Sequence, residues 1–91
     1  MDKDLLTNIK ELISDNQLKE SIGELKTITK ETQIDFYNEV IIHSSKLNKI
    51  NKEIRLGTID RNTFNLEESR IATNILSLVD KLEYYLSLIH I

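Results

Sequence analysis

Through the middle of the chain, apolar side chains return at alternating steps of four and three residues: Phe36, Val40, Leu47, Ile50 and Ile54, with His43 in the same series. That spacing matches the α-helical repeat and no strand period, so it marks one stripe of a long helix as a packing seam. The 91-residue chain has no proline and only two glycines, so little interrupts such helices outside designated turns. The expected fold class is all-α: a four-helix domain in which a short N-terminal helical hairpin packs on a long antiparallel one.

Residues 1–91 read as a single domain, with helices over about 4–14, 17–30, 35–56 and 61–89. Leu5, Leu6, Ile9, Leu12 and Ile13 make one face of the first helix apolar, with Asp2 or Asp4 as its cap and Asp15-Asn16 as its end. Asn16 is the expected cap of the second helix, whose inner side carries Leu18, Ile22, Leu25 and Ile28. Gly23 sits inside that helix, where glycine costs roughly 1 kcal/mol against alanine. Close approach of the first helix is the expected reason for it. Thr32-Gln33-Ile34-Asp35 resembles a capping box and opens the third helix.

Leu56-Gly57-Thr58-Ile59-Asp60 reads as a stop and a restart, with Gly57 in the left-handed position after one helix and Asp60 capping the next. The fourth seam is Phe64, Ile71, Ile75, Leu78, Leu82, Tyr85 and Ile89, widened by Ala72, Val79 and Leu86. An antiparallel turn at Gly57 pairs residues whose numbers sum to roughly 116, which sets Ser44 opposite Ala72 and Lys49 near Glu67.

Nearly the whole chain is marked by a series of short motifs: Ile9-Lys10-Glu11-Leu12-Ile13, Tyr37-Asn38-Glu39-Val40-Ile41, Ser44-Ser45, Asn48, Leu56-Gly57-Thr58-Ile59 and Arg70-Ile71. In these motifs and their spacing it resembles the eleventh class of effector-associated domains, small helical modules of bacterial conflict and immune systems. Two positions depart from it: Gly23 stands where such domains carry alanine, and Asp60-Arg61-Asn62-Thr63 replaces a serine-led acidic cap. The resemblance implies a recruitment mechanism in which the same domain type sits on a sensor and on an effector. Contact between matching domains would raise the local concentration of that effector, whether a protease, a nuclease or an NAD-consuming domain.

The residues themselves offer little for catalysis. His43 follows Glu39 by four residues, half of a metal site, but there is no cysteine and the other histidine is His90. The expected role of His43 is that of a partly buried, hydrogen-bonded structural residue. Arg61-Asn62-Thr63-Phe64-Asn65-Leu66 resembles the start of the Arg-Asn motif of helical ribonucleases of the HEPN type, with Leu66 where their histidine would stand. The serines lack a base and a strained turn, and no glycine-rich phosphate loop is present. No enzyme activity and no cofactor are expected.

Charge carries more information. The net charge of −3 argues against a generic grip on nucleic acid. Residues 43–61 nevertheless hold five basic and two acidic side chains, with Lys46, Lys49, Lys52 and Arg55 recurring every three residues. Each step of three lags the helical turn by about 60°, so the four wind around half of the helix. An acidic stripe at Glu20, Glu24 and Glu31 on the second helix is the expected complement, permitting head-to-tail contact between copies. Asn48 and Arg70 are the expected structural polar residues, tying the third and fourth helices together near their turn.

No apolar run approaches the ~18 residues of a membrane span, and Asp2 and Asp4 oppose the basic start of a signal peptide. The absence of cysteine fits a reducing cytoplasm. The expected partner is a protein, as a same-type domain or a second copy. A structural dimerisation bundle ending a larger protein is the rival expectation, and nucleic-acid binding through Lys46, Lys49, Lys52, Arg55 and Arg61 a third.

Overall fold

The computed structural model describes residues 3–32 and 34–89, with side chains described over 5–30 and 35–88. Four helices follow one another: α1 Lys3–Ser14, α2 Leu18–Thr32, α3 Ile34–Leu56 and α4 Arg61–Ile89. Among the described residues there is no strand. Helix α1 packs on α2, α2 on α3, α3 on α4, and α1 closes the circuit against α4. The domain is elongated, 49 × 23 × 15 Å, because α4 alone, at 1.5 Å per residue, is about 43 Å long.

Over the described side chains, which exclude that of the expected seam residue Ile89, the seams read from the sequence form the core. Leu6, Ile9, Leu18, Ile22, Leu25, Val40, Leu47, Ile50, Phe64, Ile71, Ile75, Leu78, Val79, Leu82 and Leu86 are buried in one cluster. Ile13, Ile28, Phe36, Ile54, Ile59 and Ala72 pack at its edge. Tyr85 lies at the seam's margin, its ring 6.1 Å from that of Phe36 and tilted by 58°, a favourable aromatic geometry. Leu5 lies outside the core, at 40% exposure. Two buried polar residues complete α2: Ser21 and Thr29 donate their hydroxyls to the carbonyls of Leu18 and Leu25, at 2.7 and 2.8 Å. Turning those hydroxyls back onto their own helix lets small polar side chains sit in an apolar interior without an unmet hydrogen bond.

Both described turns use one device. After α3, Gly57 adopts φ 76°. Its N–H reaches the Ile54 carbonyl (3.2 Å) and the Thr58 N–H reaches that of Glu53 (2.9 Å). This paired pattern is a Schellman motif, which satisfies carbonyls left open at a helix end. Asn16, at φ 64°, repeats it after α1, with Asn16 N–H on Ile13 and Gln17 N–H on Leu12. Asn16 therefore stops α1 and does not cap α2. The first turn of α2 is closed instead by the Gln17 carbonyl, which accepts from the Ser21 N–H. Asp60 caps α4 as expected, its Oδ1 accepting the Thr63 N–H at 2.7 Å. The expected caps Asp2 and Asp4, and the Thr32-Gln33-Ile34 part of the capping box, lie outside the described side chains.

Gly23 does not serve close packing. A Cβ built there would meet nothing within 4 Å, and the residue opens onto a groove between α2 and α3 with Lys19, Ile22, Lys26, Ser44, Leu47 and Asn48. Ser44 thus faces α2, rather than standing as the contact for Ala72. The register between α3 and α4 holds: Lys46, Lys49, Ile50 and Glu53 share a groove with Thr63, Glu67 and Ile71, pairs whose numbers centre on the expected sum.

Candidate interaction surfaces

Lys46, Lys49, Lys52 and Arg55 are all exposed, and their three-residue spacing distributes them across the outer half of α3. Lys46 and Lys49 overhang the groove towards α4, where Glu53 and Glu67 also lie. Glu67 is engaged within its own helix, accepting from Arg70 Nη1 at 3.0 Å. On the other flank, α2 contributes Lys19 and Lys26 beside Ser44 and Asn48. These two lysines enlarge the basic face, and sequence reasoning missed them because it read α2 for its acids.

The same outer stripe carries uncovered apolar residues. Ile42 is 55% exposed and Ile41 37%, upstream of Lys49 and Lys52 on one helix surface.

The acidic complement is arranged differently from expectation. Glu20 and Glu24 are exposed, while the side chain of Glu31 lies outside the described residues. Glu24 turns towards α1 and shares a groove with Leu5, Asn8, Glu11, Leu12 and Asp15. The acidic feature is therefore a groove between α1 and α2, and Glu11 and Asp15 belong to it. A sequence signal was present: Leu5, Asn8, Leu12 and Asp15 step by three, four and three residues, one flank of a helix.

Neither proposed structural polar residue ties α3 to α4. Arg70 pairs within α4, and Asn48 borders α2. A polar contact that does join helices distant in sequence is made by Lys10, whose Nζ lies 3.0 Å from Asp80 and 2.7 Å from Glu83. It fastens α1 to the C-terminal half of α4. Hydrogen bonds to Glu83 and then Asp80 raise the Lys10 pKa above its ordinary value. Arg61 sits 5.3 Å above the Phe64 ring, a cation–π contact that occupies it at the start of α4.

His43 is half-buried in the α3 seam. Its Nδ1 is buried and has no hydrogen-bond partner among the described residues, so the expected hydrogen bond is not made there through that nitrogen. Burial and then the charge of Lys46 lower its pKa from 6.5, against a smaller opposing pull from Glu39. The unfolded chain therefore binds the proton more readily than the folded one. Stability is full above about pH 6.5 and falls as pH drops towards the lower folded value. Asp60 acts in a separate window, since hydrogen bonds from the Thr63 hydroxyl and backbone hold its carboxyl below 3.8. Its contribution is lost only as pH falls through that lower range. Urea midpoints are thus expected to decline between pH 7 and 5, and His43→Leu to flatten that decline while His90 stays in place; an unchanged slope in His43→Leu would contradict this.

Among the described residues, no three His, Cys, Asp or Glu side chains are grouped to hold a metal ion. No helix there is long and apolar enough to cross a membrane. The fold and its surfaces define a small four-helix domain with grooves of opposite charge. The sequence profile of effector-associated domain 11 matches residues 4–83, and the chain belongs to that family. A curated relative described as a Roc-COR-CHAT protease, from an unknown prokaryotic organism, is 28% identical over 82 residues, covering 90% of this chain. The chain spans about 7% of that relative's length. No solved structure matches the chain significantly.

Proposed function

We propose that the chain is a non-catalytic adaptor that brings an effector to its sensor through contact with a domain of the same type. The observation that supports this most directly is the separation of charge on so small a body: a basic outer face on α3, extended by Lys19 and Lys26, and an acidic groove between α1 and α2. Opposite charges on separate faces of one domain favour association of like copies and set its rate and register. Tethering in a larger chain then turns weak contacts into clustering, because linked modules meet at high effective concentration. The relative described as a protease supplies one example of an effector to which such a module can be fused. The setting this reading assigns is a bacterial defence system within the cytoplasm.

Charge reversal at Lys49 and Lys52 to glutamate tests the reading. Both side chains are exposed, so far-ultraviolet circular dichroism should be unchanged. Self-association, or binding to a matching domain encoded nearby, should weaken at least about tenfold. Association that persists unchanged in the reversed variant would place the interface elsewhere. A wild-type chain that stays monomeric and binds no matching domain would refute the adaptor function. A dimer insensitive to both salt and reversal would favour a structural terminal bundle.

A further inference from the structure

We infer that the acidic groove between α1 and α2 is the socket for α3 of a second copy, which lies in it parallel to α1. The inference rests on the adaptor reading and specifies its counter-surface and geometry. Three observations carry it: spacing, order and sign.

Along α1 and the residue after it the groove presents Leu5, Asn8, Leu12 and Asp15, separated by three, four and three residues, with the Asp15 N–H still held by the Glu11 carbonyl. Along the outer face of α3, Ile42, Ser45, Lys49 and Lys52 are exposed at the same three, four and three. Each series advances ten residue steps, about 15 Å along a helix axis, so the two stripes match in length without a register shift.

The chemical order agrees at three of the four positions, the third setting Lys49 over Leu12 with Glu11 beside it. Both stripes begin with an exposed apolar residue, Leu5 at 40% and Ile42 at 55% exposure, followed by a small polar one, Asn8 or Ser45. Both end in charge. With the helices parallel, Ile42 meets Leu5, Lys49 meets Glu11 and Leu12, and Lys52 meets Asp15. The apolar end removes hydrocarbon from water, and the charged end fixes direction. Reversing the incoming helix would set Lys52 against Leu5 and Ile42 against Asp15, leaving both mismatched.

Ridge and socket lie on different parts of the molecule. A copy using its ridge still has an open socket, so the contact is heterologous and propagates head to tail beyond a dimer.

The test uses the 91-residue chain in two charge-reversed forms: Glu11→Lys with Asp15→Lys in the socket, and Lys49→Glu with Lys52→Glu on the ridge. All four side chains are exposed, and circular dichroism verifies folding. By sedimentation velocity at low salt, the wild type should grow past dimer with concentration. Each variant alone should lose association at least about tenfold, because it presents ridge and socket of one sign. An equimolar mixture should recover it, since each variant's ridge then meets a socket of opposite charge. A socket variant that associates like wild type overturns the inference while leaving the adaptor reading intact, provided the ridge variant is impaired. Two impaired variants that stay apart when mixed overturn it as well, as does a wild type that stops at dimer. Wild-type behaviour in both variants overturns the inference too and places the interface on another surface, whereas a wild type that neither self-associates nor binds a matching domain defeats the adaptor reading.

Discussion

Leu82→Ala is expected to destabilise the domain by about 2–5 kcal/mol, the range for removing most of a buried leucine side chain and leaving a cavity behind. Leu82 is fully buried in α4, at 0% exposure, within the cluster to which all four helices contribute. A domain of 91 residues typically has a stability of roughly 5–14 kcal/mol. The substitution therefore removes a large share of the total, and the upper end of the range leaves a substantial unfolded population. Leu88 on the same helix is the control. It is 53% exposed, so Leu88→Ala should stay within about 0.5 kcal/mol of wild type. Urea unfolding followed by circular dichroism measures both. A Leu82→Ala cost below about 1 kcal/mol would show that the interior collapses around the missing atoms or is not packed at this point.

The two glycines should respond with opposite signs. Gly57→Val is expected to cost about 1–2 kcal/mol, because a side chain at a left-handed residue crowds the following carbonyl. The φ of 76° is imposed by the paired hydrogen bonds that end α3. No neighbouring atom lies within 4 Å of the added Cβ, so the cost comes from the backbone and not from a packing clash. Gly57→Asn should cost less, since Asn16 holds the same conformation at the end of α1. Gly23→Ala should instead stabilise by about 0.5–1 kcal/mol, because it lies inside α2 with an equally open Cβ position. For a domain of this size, 1 kcal/mol corresponds to a Tm shift of about 4–8 °C. Thermal unfolding should therefore rank Gly23→Ala above wild type, with Gly57→Asn and then Gly57→Val below it. Destabilisation by Gly23→Ala would mean that α2 and α3 approach more closely at this point than the groove indicates.

These glycines also show how far sequence pattern reaches. Gly57 was legible because a left-handed stop followed by Asp60 has a local mechanism, completed within a few residues along the chain. Gly23 was not, since whether a mid-helix glycine serves close packing depends on what stands opposite it. His43 divides the same way: its place in the seam followed from period, but the unmet Nδ1 depended on neighbours that period does not specify. The burial of Ser21 and Thr29 was missed because hydropathy alone does not reveal that a hydroxyl has turned back to its own helix.

The sequence by itself determined the number of helices, their limits to within a few residues, the all-α class and the stop-and-restart between α3 and α4. Each is settled by the 3.6-residue repeat or by a cap within one turn of chain. Only the tertiary structure decided which flank of each helix meets which neighbour. It turned Glu24 towards Glu11 and Asp15, set Lys19 and Lys26 beside Ser44 and Asn48, and brought Lys10 to Asp80 and Glu83. The physical reason is that an apolar stripe fixes the direction of the core but leaves the order of helices around that core undetermined. That order depends on packing between residues far apart in the chain, and it decides which exposed charges become one surface.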